Sequence, residues 1–242
     1  MEKMKVVILC GGEGTRLREE TEYRPKPMVA IGGMPILWHI MKYYSSFGFS
    51  EFVLCLGYKG EMIKEFFQGL RDAGGESGWE ITFADTGLKA MTGARIKRVE
   101  KHITTDNFLV TYGDGLSNLD LNAEIAFHRR MGRAATLAGV HPHSKFGRVK
   151  ADSSGVVSEF LEKPVLDDYV NGGFYVFQKE IMGCLSPDDP CVLETAPFEQ
   201  LVEKRQMAMY RNEGFWHSMD TYKDFLDLNA MWDSGNRPWK VW

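Results

Sequence analysis

The chain has 242 residues, 44% of them hydrophobic and 26% charged, with a net charge of −4 at neutral pH. These are values of a globular protein able to bury a sizeable core. They exclude a global electrostatic attraction to nucleic acid or an anionic membrane, and leave open a local basic site for an anionic substrate. In chain order, Lys5–Cys10 reads as a buried strand and Pro35–Phe47 as a helix opened by proline. Phe52–Leu56 reads as a strand, Glu61–Phe67 as a helix, Glu80–Ala84 and Phe108–Tyr112 as strands, and Asn122–Met131 as a helix. This alternation predicts a mostly parallel, three-layer α/β sheet. Beyond Ala134 the strands Ala135–Val140, Gly147–Ala151, Val156–Leu161 and Gly173–Phe177 are separated only by short turns, which predicts antiparallel additions. Pro197–Lys204 and Tyr222–Trp232 read as helices. With no repeat, linker or charge block to mark a boundary, residues 1–242 read as one domain, with parts at about 1–133 and 134–242.

No apolar run approaches the roughly 20 residues that span a bilayer, and the first is too short for a secretory leader. Cys10, Cys55, Cys184 and Cys191 lack metal-ligand spacing and read as free thiols, so a cytoplasmic location is the expectation. His141 and His143 form an HxH pair without further ligands nearby in sequence and read as loop residues. Trp232, Trp239 and Trp242 give the chain an aromatic end suited to packing rather than ligand stacking.

The stretch VVILCGGEGTRLREETEYRPKPM, Val6 to Met28, leaves a strand directly into glycines. Such a turn exposes backbone N–H groups at the carboxyl end of a parallel sheet, where open α/β sheets bind ligands. Glycine lets the main chain approach a phosphate, while Thr15 adds a hydroxyl and Arg16 a planar fork for phosphate oxygens. Lys26 lies between Pro25 and Pro27, whose restricted backbone aims the lysine narrowly. Neither the P-loop pattern nor the dinucleotide fingerprint fits, because the latter, started at Gly12, ends on Leu17.

GGEGTRL followed by PKPM resembles the signature loop of the sugar-1-phosphate nucleotidylyltransferases, a pattern that fixes about ten positions in order. MTGARIKRV (Met91–Val99), TYGDGLSNLD (Thr111–Asp120), FGRV (Phe146–Val149), EKP (Glu162–Pro164), NGGFYVF (Asn171–Phe177), GFWHSMDT (Gly214–Thr221) and the closing RPWKVW are similar to the glucose-1-phosphate cytidylyltransferase branch. The resemblance covers essentially the whole chain. It implies a three-layer Rossmann-like nucleotidyltransferase fold with a mixed, mostly parallel central sheet and antiparallel additions in the C-terminal half.

By that resemblance a sugar-1-phosphate oxygen attacks the α-phosphorus of CTP in line, and pyrophosphate leaves. Arg16, Lys26, Asp114, Lys163 and Asp220 would be the catalytic set, with Asp114 and Asp220 as ligands of Mg²⁺. Leu9, Gly11, Gly12, Gly14, Thr15, Arg16 and Lys26 would bind the nucleotide together with Thr92, Gly93, Arg95 and Asp114. Of these, Gly11, Thr92 and Gly93 match positions that read the base, and Lys26 and Arg95 would hold the triphosphate. Gly147, Glu162, Lys163, Asn171 and Asp220 would take the sugar phosphate, and His217 could line the pocket beside Asp220. The resemblance further implies small-molecule substrates, a homo-oligomer, and no nucleic-acid or membrane partner. UTP- or dTTP-dependent transfer stays open as an alternative, as does a regulatory relative that binds nucleotide or sugar phosphate without turnover. The chain departs from the branch between Phe67 and Thr86, where its segment is short, and at Cys10, where alanine is commoner.

Overall fold

The computed structural model describes residues 3–76, 78–144 and 146–242. The first half of the chain contains β1 (Val6–Leu9), the short α1 (Arg18–Thr21), the paired dipeptides β2 (Ala30–Ile31) and β3 (Met34–Pro35), and α2 (Ile36–Ser46). It continues through β4 (Glu51–Leu56), α3 (Gly60–Asp72), β5 (Glu80–Asp85), α4 (Thr92–Arg98), β6 (Asn107–Tyr112), β7 (Gly115–Ser117) and α5 (Leu121–Met131). The second half contains β8 (Ala135–Val140), β9 (Arg148–Ala151), β10 (Val157–Leu161) and β11 (Val170–Gln178). It closes with α6 (Ala196–Glu203), β12 (Met207–Asn212), β13 (Trp216–Ser218) and α7 (Tyr222–Asp233).

Seven strands form one sheet in the order β12-β8-β11-β6-β1-β4-β5. β1 runs parallel to β4 and β6, β4 to β5, and β12 to β8, while β11 lies antiparallel to both β6 and β8. The expected mixed, mostly parallel sheet is what forms. β9 and β10 pair as a separate antiparallel hairpin.

The layering follows from strand periodicity. Val6 and Ile8 point into one apolar cluster with α2 and the C-terminal aromatics, whereas Val7 and Leu9 point into another with Ile96, Val99 and Phe198. A strand buried on both faces needs no polar alternation, which is why Lys5–Cys10 reads as continuous apolar sequence.

Three of the differences from the sequence reading have a plain physical reason. α3 runs on to Asp72 rather than stopping at Phe67, because Ile63, Phe67 and Leu70 keep one helical stripe on the core across Gly69. α4 is a helix to which the sequence reading assigns no element; its buried face includes an arginine, which breaks the apolar pattern. β12 is an edge strand with weak alternation and gives little strand signal.

The C-terminal tryptophans pack on the domain itself. Trp239 is buried, and Trp38, Trp232, Trp239 and Trp242 surround the His39 ring at centroid distances of 5.1, 5.0, 6.4 and 6.1 Å.

Candidate active site

The carboxyl ends of β1 and β6 open into a cavity of about 310 Å³. Its wall includes Leu9, Gly11, Gly12, Gly14, Thr15, Arg16 and Lys26 from the glycine-rich stretch. Thr92 and Arg95 of α4 join them, with Tyr112 and Asp114 after β6. Ten of the expected nucleotide-side positions therefore share one wall; Gly93 is buried behind it, where a side chain would meet the Cys191 sulfur at 2.7 Å.

Gly14 shows why the loop needs glycine: its φ is +64°, and a Cβ there would lie 2.9 Å from Thr21. Its carbonyl then accepts the Leu17 amide at 3.0 Å, closing the turn that presents Arg16. The prolines do aim Lys26. Pro25 precedes a single 3₁₀ turn, Lys26–Met28, and the Lys26 side chain is buried, with 11% exposure.

The Lys26 ammonium donates to Asp114 Oδ2 at 2.6 Å and to Asp220 Oδ1 at 2.7 Å. Arg16 reaches the same Asp220 oxygen at 2.9 Å while its own side chain is largely exposed. Burial alone would lower the Lys26 pKa, but Asp114 and Asp220 outweigh it and hold the pKa above the ordinary lysine value. Burial works against the charged form of Asp220, yet Lys26, Arg16 and Ser218 keep its carboxyl below the usual range. Two anionic oxygens thus converge on one cation beside the glycine loop.

Asp220 is held from behind. Asp224 Oδ2 accepts the backbone N–H groups of Asp220 and Thr221 at 3.0 and 2.7 Å, and Thr221 caps α7 in return. His217 Nε2 lies 3.5 Å from Asp224, so His217 stands one layer behind Asp220.

Arg95 lies on the cavity wall as expected, with its guanidinium bonded to the backbone around it. It is 4% exposed, and its terminal nitrogens donate to the carbonyls of Leu56, Gly87, Gly11 and Leu88 and to the Thr86 hydroxyl. Its guanidinium is thereby committed to stitching three loops into the cavity floor, and Gly11 is glycine because a Cβ there would lie 1.9 Å from Arg95.

The sugar-side residues lie apart. Glu162 and Lys163 follow β10, Lys163 at φ +46° with its side chain half exposed, and Lys163 Nζ is 3.4 Å from Glu162. A side chain on Gly147 would come within 3.1 Å of Glu162, so the hairpin groups those two positions. Among the described residues no hydrogen bond or ion pair joins Glu162 or Lys163 to Lys26, Asp114 or Asp220. Asn171 instead reaches the cavity wall through the hydroxyls of Tyr175 and Tyr112. The sequence reading passed over Tyr112, Tyr175, Asp224 and Glu194. Of these, only Asp224 carries a local signal, as the N3 residue of a cap begun at Thr221.

A glycine loop, a buried ammonium and paired carboxylates at the carboxyl edge of a parallel sheet are the features of an enzyme site suited to an anionic ligand. The chain belongs to the nucleotidyl transferase family, whose family model matches residues 5–234. It is 43% identical to the "Probable glucose-1-phosphate cytidylyltransferase" of Bacillus subtilis, over 99% of this chain and 100% of that one. It is 42% identical to the "Glucose-1-phosphate cytidylyltransferase" of Salmonella typhi, again over 99% and 100%. Among solved structures, HddC from Yersinia pseudotuberculosis superimposes with a TM-score of 0.71 at 25% identity, covering 95% of this chain and 99% of that one.

Proposed function

We propose that this protein transfers the cytidylyl group of CTP to a sugar 1-phosphate, with α-D-glucose 1-phosphate as the sugar, and releases pyrophosphate. The observation that carries the reading is the Lys26 ammonium held between Asp114 and Asp220 beside the glycine loop. The similarity over nearly the whole chain to proteins named glucose-1-phosphate cytidylyltransferases supports CTP and this sugar.

The attacking sugar-phosphate oxygen is already anionic, so the reaction calls for no covalent nucleophile. A bond forms from that oxygen to the α-phosphorus as the bond to the bridging oxygen breaks, and pyrophosphate carries the electron pair away. Lys26 and Arg16 neutralise the triphosphate, and the backbone of Gly11, Gly12 and Gly14 lets it approach closely. Lys163 takes the sugar phosphate, while Glu162 and Asn171 offer hydrogen bonds to its hydroxyls. Lys163 lies at the end of an exposed hairpin, so we assign it to substrate capture.

Two convergent carboxylates suit a hard cation, and Mg²⁺ is commonly held by one or two carboxylates plus substrate phosphates. The ammonium bonded to both Asp114 and Asp220 supports the fit, since it occupies a cation position those oxygens already share. Bound there, Mg²⁺ would withdraw charge from the phosphates in the transition state.

Among the described residues no helix is long and apolar enough to cross a membrane. A cytoplasmic homo-oligomer belongs to the same proposal, and light scattering would read its size. The deciding experiment is pyrophosphate release with Mg²⁺ from CTP, UTP and dTTP, each with glucose 1-phosphate. Turnover with CTP that disappears in Asp114→Ala supports the proposal; absence of turnover with every pair sinks it.

A further inference from the structure

Two of the hydroxyls on the cavity wall, those of Thr92 and Tyr112, are bonded to a residue behind the wall, Glu194. Thr92 Oγ1 lies 2.7 Å from Glu194 Oε2 and 2.9 Å from the backbone nitrogen of Leu193. The Tyr112 hydroxyl donates to Glu194 Oε1 and lies 2.9 Å from the Tyr175 hydroxyl. Tyr175 in turn accepts Asn171 Nδ2 at 2.6 Å, and the Asn171 amide is oriented by its Oδ1, which accepts the Gly173 amide at 3.1 Å.

The direction of each bond follows from what the groups can do. An ionised carboxylate only accepts, an N–H only donates, and a hydroxyl has one proton and two lone pairs. Leu193 donates to Thr92, so the Thr92 proton goes to Glu194. The Tyr112 proton goes to the other carboxylate oxygen, so Tyr175 donates to Tyr112 and accepts from Asn171. Every proton in the chain runs toward Glu194. Each of these two wall hydroxyls is left with one free lone pair and no free proton.

The segment that carries Glu194 is laced to α4, because Met91 donates to the Asp189 carbonyl at 2.9 Å and Ala94 to the Cys191 carbonyl at 3.0 Å. Burial, with Tyr175 and Glu194 alongside, raises the Tyr112 pKa further, so that proton is retained across the working pH range.

We propose that Glu194 is a positioning residue for base selection: it makes the Thr92 hydroxyl acceptor-only, and so favours a pyrimidine with an exocyclic amino group over one with a carbonyl. Cytosine presents a donor at its C4 substituent, where uracil presents an acceptor. A carbonyl facing an oxygen that has no proton to give leaves both groups unpaired, and a site built around a polar group rejects the mismatched analogue strongly. The inference rests on reading this cavity as the nucleotide site.

Titration calorimetry with CTP and with UTP, each with Mg²⁺ and without sugar phosphate, tests it apart from turnover. The wild type should bind CTP about 10- to 100-fold more tightly than UTP. Thr92→Val should bring the two within about threefold, and Thr92→Ser should keep the preference. Glu194→Gln is nearly isosteric but gives up one acceptor. With the amide nitrogen toward Thr92, that hydroxyl accepts from it as well as from Leu193 and regains a proton to offer, so the preference falls here too. A merely structural role for Glu194 would weaken both nucleotides alike and leave their ratio unchanged. Equal binding of CTP and UTP by the wild type, or an unchanged ratio in both Thr92→Val and Glu194→Gln, overturns the proposal. Base selection as described without pyrophosphate release would remove the transfer reading and leave this inference standing; transfer with an unchanged ratio would do the reverse.

Discussion

Lys26 and Asp220 stand 194 positions apart in the chain, yet the ammonium lies 2.7 Å from the carboxylate oxygen. The contact joins the loop after β1 to the start of α7, and Asp114 after β6 completes it at 2.6 Å. Lys26→Met removes the one cation that bridges the two carboxylates and leaves Arg16 on Asp220 alone. We expect kcat/KM for nucleotidyl transfer to fall about 100- to 1,000-fold. Steady-state pyrophosphate release over a range of Mg²⁺ concentrations measures it, and recovery of the wild-type rate at high Mg²⁺ would show that Lys26 only holds the metal position.

Arg95 separates a structural role from a phosphate contact. Its guanidinium satisfies four carbonyls and a hydroxyl in the cavity floor, so Arg95→Ala should cost about 3 kcal/mol of stability. Gly11→Ala should destabilise as well, because the added methyl collides with Arg95. Urea denaturation measures both. A normal midpoint with lost activity in Arg95→Ala would restore the phosphate-contact role that the sequence suggests.

The glycine loop and its lysine were legible in sequence because everything that shapes them lies within one short stretch: positive φ at Gly14 and prolines on either side of Lys26. The parallel half of the sheet was legible because strands buried on both faces read as unbroken apolar runs. Arg95 was not legible, since an arginine next to a phosphate-loop motif reads the same whether it faces the ligand or the backbone. Glu194 was less legible still. Its meaning depends on the Thr92 hydroxyl, 102 positions away, and on the directions of protons that no local pattern encodes.

Glu124 sits in α5, fully buried, with neither carboxylate oxygen hydrogen-bonded. Burial pushes its pKa well above the ordinary carboxyl value. Above pH of about 4.5 the folded chain must therefore carry a proton that the unfolded chain releases, and stability falls as pH rises. Glu124→Leu removes that penalty. It should gain about 2–4 kcal/mol at pH 8 relative to wild type and progressively less toward pH 5. Urea unfolding at the two pH values tests the sign: an equal or larger gain at pH 5 contradicts it.

His39 acts in the opposite direction. Burial among the tryptophans brings its pKa down to about 4, with Nε2 bonded to the Ile31 carbonyl at 2.9 Å. Between pH of about 6.5 and 4 the unfolded chain binds the proton that the folded chain refuses, so stability falls as pH falls, by up to about 1.4 kcal/mol per unit. His39→Gln keeps a donor for Ile31 but does not titrate. Its stability profile should be flatter than wild type across that window and parallel to it above pH 7.

Asp224 offers the last separation, between a helix cap and a support for Asp220, the carboxylate proposed to hold Mg²⁺. Its Oδ2 accepts two backbone N–H groups, one of them from Asp220, and the Thr221 hydroxyl at 2.8 Å. Asp224→Ala removes half of the capping box and should cost about 1 kcal/mol of stability. A cap alone would leave the Mg²⁺ requirement unchanged. Because the same oxygen fixes the backbone of Asp220, we expect the half-saturating Mg²⁺ concentration for transfer to rise about 10-fold or more. Asp224→Asn, which keeps one acceptor for those N–H groups, should recover most of the stability and part of the Mg²⁺ affinity. If Asp224→Ala loses stability but titrates with Mg²⁺ as the wild type does, the residue is a cap and nothing more.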